Sequence, residues 1–157
     1  MAIEEKSVKE LQVVVFKLEN SYYGVHILQV QEIIKMADIT KLPNTPYFIE
    51  GVVNLRGKII PVMDLRKRFG LSTVEITREF KILILKTEEL EFGVLVDDIS
   101  EVEKIPVNII ENPPKIISGI NGEFINGIAK TEGRLLILLD IEKILSVEEK
   151  EVLKDIE

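Results

Sequence analysis

The sequence predicts an all-β protein made of two small β barrels in tandem, with short helices that include one at the C-terminus. A block of sequence recurs in register in the second half of the chain. The apolar residues come in runs of strand length, separated by Gly, Asn and Asp. Each copy therefore has about five short strands, and closing them into a barrel leaves no exposed sheet edge.

The repeat is the main support for this fold class. One block runs from Gly51 to Leu65 and returns 76 residues later, from Gly127 to Ile141. Both copies carry two glycines, a basic residue after the second glycine, an apolar run and a capping Asp. A shorter block, Gly24–Ile27, returns 69 residues later as Gly93–Val96. The two offsets indicate a duplicated unit with seven additional residues in the second copy, which we expect in a surface loop at 115–123.

The length of the chain predicts a single domain over residues 1–157. One copy alone would bury too little surface to be stable, so the two barrels are expected to share a core or a seam. The first barrel is expected at about 11–75 and the second at about 79–145.

Each copy is expected to open with a β-hairpin. The first hairpin has strands at Leu11–Leu18 and Tyr22–Val30, and residues 31–37 form either one helical turn or more strand. The second hairpin has strands at Phe80–Lys86 and Leu90–Val96. The turn residues between these runs support both assignments.

Capping signals predict two helices. Asp64 is expected to cap a short helix that Gly70 ends. Ser146 and Glu149 form a capping-box pattern, which predicts a C-terminal helix to about Ile156. The apolar face expected for this helix consists of Val152, Leu153 and Ile156.

The composition excludes several classes of function. A net charge of −7 and a pI of about 5.0 argue against a nucleic-acid-binding face, although Arg66, Lys67 and Arg68 form a local basic spot. The absence of Cys removes disulfides and thiolate metal sites. No apolar run reaches the roughly 18 residues of a membrane span, so no membrane insertion is expected.

No catalytic, metal-binding or cofactor-binding residue is predicted. His26 is the only histidine and corresponds to Leu95 in the repeat, which favours a partly buried structural role over a functional one. Asp97 and Asp98 are adjacent in an extended segment, so their side chains point to opposite faces. We therefore expect these two carboxylates to be solvated at a turn or strand end.

Arg56 is the residue at which the two copies differ most. It lies in a short hairpin loop that Gly57 closes with a positive φ, and its counterpart is the oppositely charged Glu132. Asn54 and its counterpart Lys130 differ more weakly. Either these are solvated turn residues that drifted after duplication, or the two copies face different partners.

Several motifs occur together in an order that points to one family. They are Tyr23-Gly24-Val25, Val30–Ile33, Asn44-Thr45-Pro46, Phe48–Gly57, Pro61–Arg66 and Gly93–Asp97. With them the chain resembles the CheW family of bacterial chemotaxis adaptors over roughly residues 11–147. The most specific part is the N-L-R-G hairpin followed by P-V-x-D-L.

The resemblance implies two SH3-like five-stranded barrels packed around a shared hydrophobic seam, with no enzymatic activity and no cofactor. It implies a cytoplasmic, stand-alone adaptor that is recruited to membrane-associated receptor arrays. There it would bridge the histidine kinase CheA to the cytoplasmic tip of chemoreceptors. The groove between the barrels would take the receptor tip, and an apolar barrel end would meet the regulatory domain of CheA.

The expected partner-binding residues come from matching this chain to the family. They are Val30, Glu32, Gly51 and Arg56, to which the difference between the copies adds Asn54. A small-ligand-binding β barrel with a pocket at the seam is the alternative, although the sequence has no convergent polar groups to line one. An enzyme is the third possibility.

Overall fold

The computed structural model describes residues 9–113, 116–117 and 120–156 and confirms an all-β chain with short helices. The strands, in chain order, are β1 (Glu10–Leu18), β2 (Ser21–His26), β3 (Val30–Lys35), β4 (Ile49–Leu55), β5 (Lys58–Asp64), β6 (Lys81–Lys86), β7 (Glu91–Val96), β8 (Asp98–Pro106), β9 (Ile116–Ile117), β10 (Ile120–Asn121), β11 (Ile125–Thr131) and β12 (Arg134–Leu139). The α-helices are α1 (Leu65–Phe69), α2 (Ile141–Ile144) and α3 (Val147–Lys154). Short 3-10 helices span Ile27–Gln29, Val107–Ile109 and Gly122–Phe124.

Ten of these strands form two five-stranded sheets, which we call barrel I and barrel II. Barrel I has the strand order β3-β6-β7-β5-β4, and barrel II has the order β11-β12-β2-β1-β8. The pairings are antiparallel except for β5 with β7 and β12 with β2, which are parallel. The remaining strands, β9 and β10, pair with each other. They fall within the surface loop expected at 115–123, which lies partly outside the described residues.

The barrels do not divide the chain as the sequence predicted. Hairpin β1–β2, expected in a first barrel at 11–75, belongs to barrel II, and hairpin β6–β7 of the second copy belongs to barrel I. The parallel pairings cause this exchange, because β5 pairs with the hairpin of the second copy and β12 pairs with that of the first. The boundaries 11–75 and 79–145 therefore do not describe the barrels, and neither barrel consists of one copy alone.

A shared hydrophobic seam holds the barrels together, as expected. Its residues come from both barrels and from the helices, and β1 shows how one strand serves two cores. Val14, Phe16 and Leu18 point into the seam, whereas Val13 and Val15 point into a smaller cluster within barrel II. Because successive side chains of a strand point to opposite faces, both faces of β1 are buried. The two copies together therefore bury more apolar surface than one isolated copy could.

The first hairpin is shorter than predicted. Strand β2 ends at His26 rather than at Val30, because the His26 Nδ1 accepts a hydrogen bond from the Leu28 N–H at 3.1 Å and caps the 3-10 turn. The chain then resumes as β3, which decides the alternatives for residues 31–37 in favour of strand. The contact also supports the structural role expected for the histidine.

The repeated hairpin turns have the same backbone geometry in both copies. Arg56 and Gly57 have φ values of 53° and 86°, and Glu132 and Gly133 have values of 50° and 78°. Two consecutive residues with positive φ are typical of a type I′ turn, which matches the twist of the flanking strands. The positive φ predicted for Gly57 is confirmed, and Arg56 adopts one as well.

The predicted helix caps are confirmed. The Asp64 carboxylate accepts from the Arg66 N–H at 2.9 Å, and Gly70 ends α1 with a φ of 72°. Both hydrogen bonds of the capping box at Ser146 are present in α3. The apolar face expected for this helix was wrong at Val152, which is 40% exposed whereas Leu153 is buried, since neighbouring helical residues point about 100° apart.

The local basic spot is not a free charged surface. Arg66 is buried and donates to the Asp97 carboxylate at 2.7 Å, and Lys67 pairs with Glu50 at 2.7 Å. Arg68 donates to Glu149 at 3.1 Å. The same ion pair corrects the prediction that Asp97 is solvated, because its carboxylate also accepts from a backbone N–H of the β1–β2 turn.

Candidate interaction surface

Two of the predicted site residues form an exposed ion pair at one end of barrel I. Glu32 lies on β3, and Arg56 lies in the turn between β4 and β5. The contact is bidentate, with the Arg56 Nη1 donating to Glu32 Oε2 at 3.3 Å and Nη2 donating to Oε1. The Arg56 side chain is 72% exposed and that of Glu32 is 30% exposed. A partner can therefore reach both charges.

This ion pair joins parts of barrel I that are distant in its strand order. Strands β3 and β4 are at opposite ends of the strand order of barrel I, so Glu32 and Arg56 would lie far apart in an open sheet. The hydrogen bond between them lowers the pKa of Glu32 and raises the pKa of Arg56. Both groups are consequently charged at neutral pH.

A second layer of charge lies beneath this pair and was not predicted from the sequence. Glu91, the first residue of β7, is buried and pairs with the Lys58 ammonium, and it accepts from the Gln31 amide at 3.2 Å. These bonds, with Lys58 contributing most, lower the pKa of Glu91. Its location depends on β7 joining barrel I, which no local signal in the sequence reveals.

The other predicted site residues have mainly structural contacts. The Asn54 Oδ1 accepts from the Gly57 N–H at 2.8 Å and so shapes the turn that presents Arg56. Val30 is half-buried against the seam. Gly51 is buried with a φ of 150°, and a Cβ there would lie 2.1 Å from the Thr40 carbonyl oxygen. Gly51 is therefore required for backbone packing, whatever else it does.

Exposed apolar side chains occur next to the charged residues along the chain. Ile33 follows Glu32 on β3 and is 45% exposed, and Ile59 follows Lys58 on β5 and is 38% exposed. Leu28, in the 3-10 turn before β3, is 85% exposed. Exposed apolar residues and an accessible arginine are both features of protein–protein interfaces.

In barrel II, the residue equivalent to Lys58 makes different contacts. Arg134, the counterpart of Lys58, donates to Glu101 and Glu103 at 2.8 Å each and stacks over Tyr22 at 4.5 Å. The hydrogen bond to Glu101 contributes most to a raised pKa of Arg134. The opposite charges of Arg56 and Glu132 thus belong to two different networks on one scaffold.

One group of carboxylates in the described ranges has the spacing of a metal site. It comprises Glu101, Glu103 and Glu132, whose oxygens lie within 4.8 Å of one another. Arg134 already donates to two of the three, so a protein cation supplies the positive charge there. We assign no metal to this group.

The seam leaves little room for the small-ligand alternative. Phe16, Tyr23 and Phe92 fill it and are at most 2% exposed, and burial raises the pKa of Tyr23 to about 12. The Phe16 and Tyr23 rings stack with centroids 5.7 Å apart.

Within the described residues, no helix has the length and apolarity that a membrane span requires.

Two SH3-like five-stranded barrels with a common core, and an exposed charged pair on strands that also carry exposed apolar residues, define a protein-interaction domain. The comparisons agree with this class and make it more specific. The family model for the CheW-like domain matches residues 12–149. The chain belongs to the CheW-like domain family.

Similar proteins cover nearly the same length. A chemotaxis protein CheW from Treponema pallidum is 35% identical over 160 residues, which is 99% of this chain and 92% of that protein. A chemotaxis protein CheW from Klebsiella aerogenes is 38% identical over 135 residues, covering 86% of this chain and 81% of that one. The crystal structure of the scaffolding protein TtCheW from Thermoanaerobacter tengcongensis is 40% identical, has a TM-score of 0.82 and covers 90% of this chain and 91% of that one.

Proposed function

We propose that this chain is a non-enzymatic adaptor that couples chemoreceptors to the histidine kinase CheA. Membership of the CheW-like family, together with relatives named as chemotaxis and scaffolding proteins, supports a scaffolding role in chemotaxis rather than the ligand-binding alternative. The specific partners proposed are the cytoplasmic tip of a chemoreceptor and the regulatory domain of CheA. The shared seam supports treating residues 1–157 as one CheW-like domain.

The observation that carries the proposal is the exposed Glu32–Arg56 pair at one end of barrel I, on strands that also carry the exposed Ile33 and Ile59. A helical hairpin presents apolar residues at a regular spacing with polar residues beside them, and this surface offers both kinds of contact. The adaptor would transmit a signal by contacting two receptor states unequally, because a bound partner shifts an equilibrium only by its differential affinity. We propose that Val30, Gly51 and Asn54 support this surface from below.

Several contacts support an adaptor over an enzyme. His26 is engaged with the backbone of its own turn. Asp97 forms an ion pair with the buried Arg66. The carboxylates of Glu32 and Glu91 are paired with basic side chains. We propose a cytoplasmic location at receptor arrays near the membrane, since the cytoplasmic tip of the receptor is accessible only there.

The test of the proposal is the variant Arg56→Glu, which leaves the backbone of the turn unchanged and reverses the exposed charge. In reconstituted arrays of receptor, CheA and this chain, R56E should weaken receptor-coupled control of CheA while the circular dichroism spectrum stays that of the wild type. Unchanged stimulation of CheA by arrays that contain R56E would refute the assignment.

Barrel II supplies a matched control for this test. Glu132 occupies the equivalent turn position, with a φ of 50° against 53° for Arg56, and its side chain is 61% exposed. The variant Glu132→Arg therefore changes charge by the same amount at an equivalent turn. It should leave receptor coupling near the wild-type level if the site belongs to barrel I.

A further inference from the structure

We propose that Glu91 is a positioning residue that holds Glu32 and Arg56 in the arrangement that a partner meets. This inference rests on the proposed function and adds a buried component to the binding surface. Glu91 is 8% exposed, so it would act on a partner only through the groups above it.

Glu91 contacts the strand that carries Glu32 at a β-bulge. In the ladder between β3 and β6, Val30 pairs with Leu85 and Glu32 pairs with Ile84, so Gln31 is the extra residue of a β-bulge. A bulge changes the direction in which neighbouring side chains point. Because Glu91 accepts from the Gln31 amide at 3.2 Å, it secures the bulge beside Glu32.

Glu91 also contacts the residue that follows the turn carrying Arg56. Lys58 is the first residue of β5 after this turn, and its ammonium pairs with the same Glu91 carboxylate. The two oxygens of one side chain therefore hold the two elements that supply Glu32 and Arg56. Since β3 and β5 lie on opposite sides of β7 in the strand order, a contact on this central strand is well placed to set their relative position.

The electrostatics agree with this geometry. The pKa of Arg56 is raised mainly by Glu32 and in addition by the nearby charge of Glu91. The pKa of Glu32, although lowered overall by its hydrogen bond to Arg56, is raised in part by the same charge. Glu91 therefore acts on both members of the exposed pair without touching solvent to any large extent.

Barrel II shows that the fold does not require this carboxylate. By the repeat offsets of 76 and 69, the counterparts of Lys58 and Glu91 are Arg134 and Tyr22. There the guanidinium stacks on an aromatic ring at 4.5 Å. The same position thus holds a ring in one barrel and a buried charge in the other, which indicates a role specific to the surface of barrel I.

The test is a double-mutant cycle on partner binding. The probe is the cytoplasmic hairpin fragment of a chemoreceptor from the same organism, and calorimetry gives its dissociation constant for the wild type, E91Q, R56A and the double variant. E91Q should weaken binding about tenfold, as expected for coupled charged groups in contact. The double variant should bind no more weakly than R56A alone, because Glu91 acts through the pair that R56A has already removed.

Two further variants keep the outcome clear. Gln31→Ala removes the hydrogen bond that the exposed Gln31 donates to Glu91, so it tests the same idea if E91Q is unfolded. It should weaken binding less than E91Q does, with the same lack of additivity with R56A. Glu103→Gln is the control, since Glu103 is 11% exposed in an ion pair of barrel II, against 10% for the Glu91 side chain. It should leave the affinity within about twofold of the wild type.

The failure of this inference differs from the failure of the proposed function. If the wild type does not bind the receptor fragment, the proposed function and the inference are both overturned. If R56A weakens binding but E91Q and Q31A do not, the inference alone is overturned. Purely additive effects in the cycle would also overturn it, because they would show that Glu91 contributes through the fold in general.

Discussion

Replacing Arg68 with Leu is expected to lower the free energy of unfolding by about 3 kcal/mol, because this arginine joins equivalent parts of the two copies. Its guanidinium lies between the rings of Phe48 and Phe124, at 4.5 and 4.8 Å from their centroids. These two residues are 76 positions apart and are counterparts in the repeat. The Arg68 Nε also donates to the Ile144 carbonyl oxygen at 2.7 Å.

The magnitude follows from the contacts that leucine cannot make. The two cation–π contacts of this arginine together contribute about 1.5 kcal/mol. The charge-assisted hydrogen bond contributes about 1.5 kcal/mol, and its loss leaves the Ile144 carbonyl without that donor. We add nothing for the ion pair with Glu149, since such partly exposed pairs contribute little on average.

The assay is thermal unfolding followed by circular dichroism. For a chain of this length, a loss of about 3 kcal/mol corresponds to a fall in Tm of about 6–12 °C. Arg68→Lys should fall between the wild type and the leucine variant, because it keeps the charge but loses the planar group that stacks and donates. Arg78→Leu is the control, since the Arg78 side chain is 81% exposed and its contact with Asp38 is long, at 3.5 Å. A decrease in Tm of less than about 2 °C for R68L would refute the reasoning.

Two further predictions concern the backbone and a buried carboxylate. Gly51→Ala should lower the free energy of unfolding by about 3 kcal/mol, because the new Cβ meets the Thr40 carbonyl oxygen. Gly57→Ala should lower it by only about 1 kcal/mol, since space is open there and only the positive φ is unfavourable. Equal losses in urea unfolding of these two variants would contradict this ranking. Burial raises the pKa of Asp64, so the fold favours its protonated form and wild-type stability falls as pH rises through that pKa. Asp64→Asn, which can still cap α1, should therefore gain stability relative to the wild type at pH 7 and lose that gain near about pH 3; a constant difference across this range would contradict it.

Local features of the site were predictable because they depend on neighbouring residues. The turn at Arg56 and Gly57 and the cap at Asp64 follow from residue types at fixed positions in a repeated block. The ion pair between Glu32 and Arg56 was not predictable in the same way. It requires the sheet of barrel I to curve so that β3 and the β4–β5 turn, 24 positions apart in the chain, come together.

The longer-range errors have one origin. The predicted barrels followed chain order, but hairpins β1–β2 and β6–β7 each pair with the other copy. The prediction for Asp97 failed for a related reason, because its partner Arg66 lies 31 residues away in α1. A carboxylate that looks solvated beside another in the sequence can be paired with a buried cation that only the folded chain supplies.

The sequence by itself determined the duplication, the all-β class, the turns and the helix caps, since these depend on backbone preferences and on the spacing of apolar residues along a short segment. The tertiary structure alone decided which hairpin joins which barrel and how the charges pair. Those choices depend on burying the apolar faces of two small copies against each other. The joining of β7 to barrel I then sets Glu91 beneath Glu32 and Arg56, because pairings between strands of different copies are decided by the packing of the whole chain and not by any one segment of it.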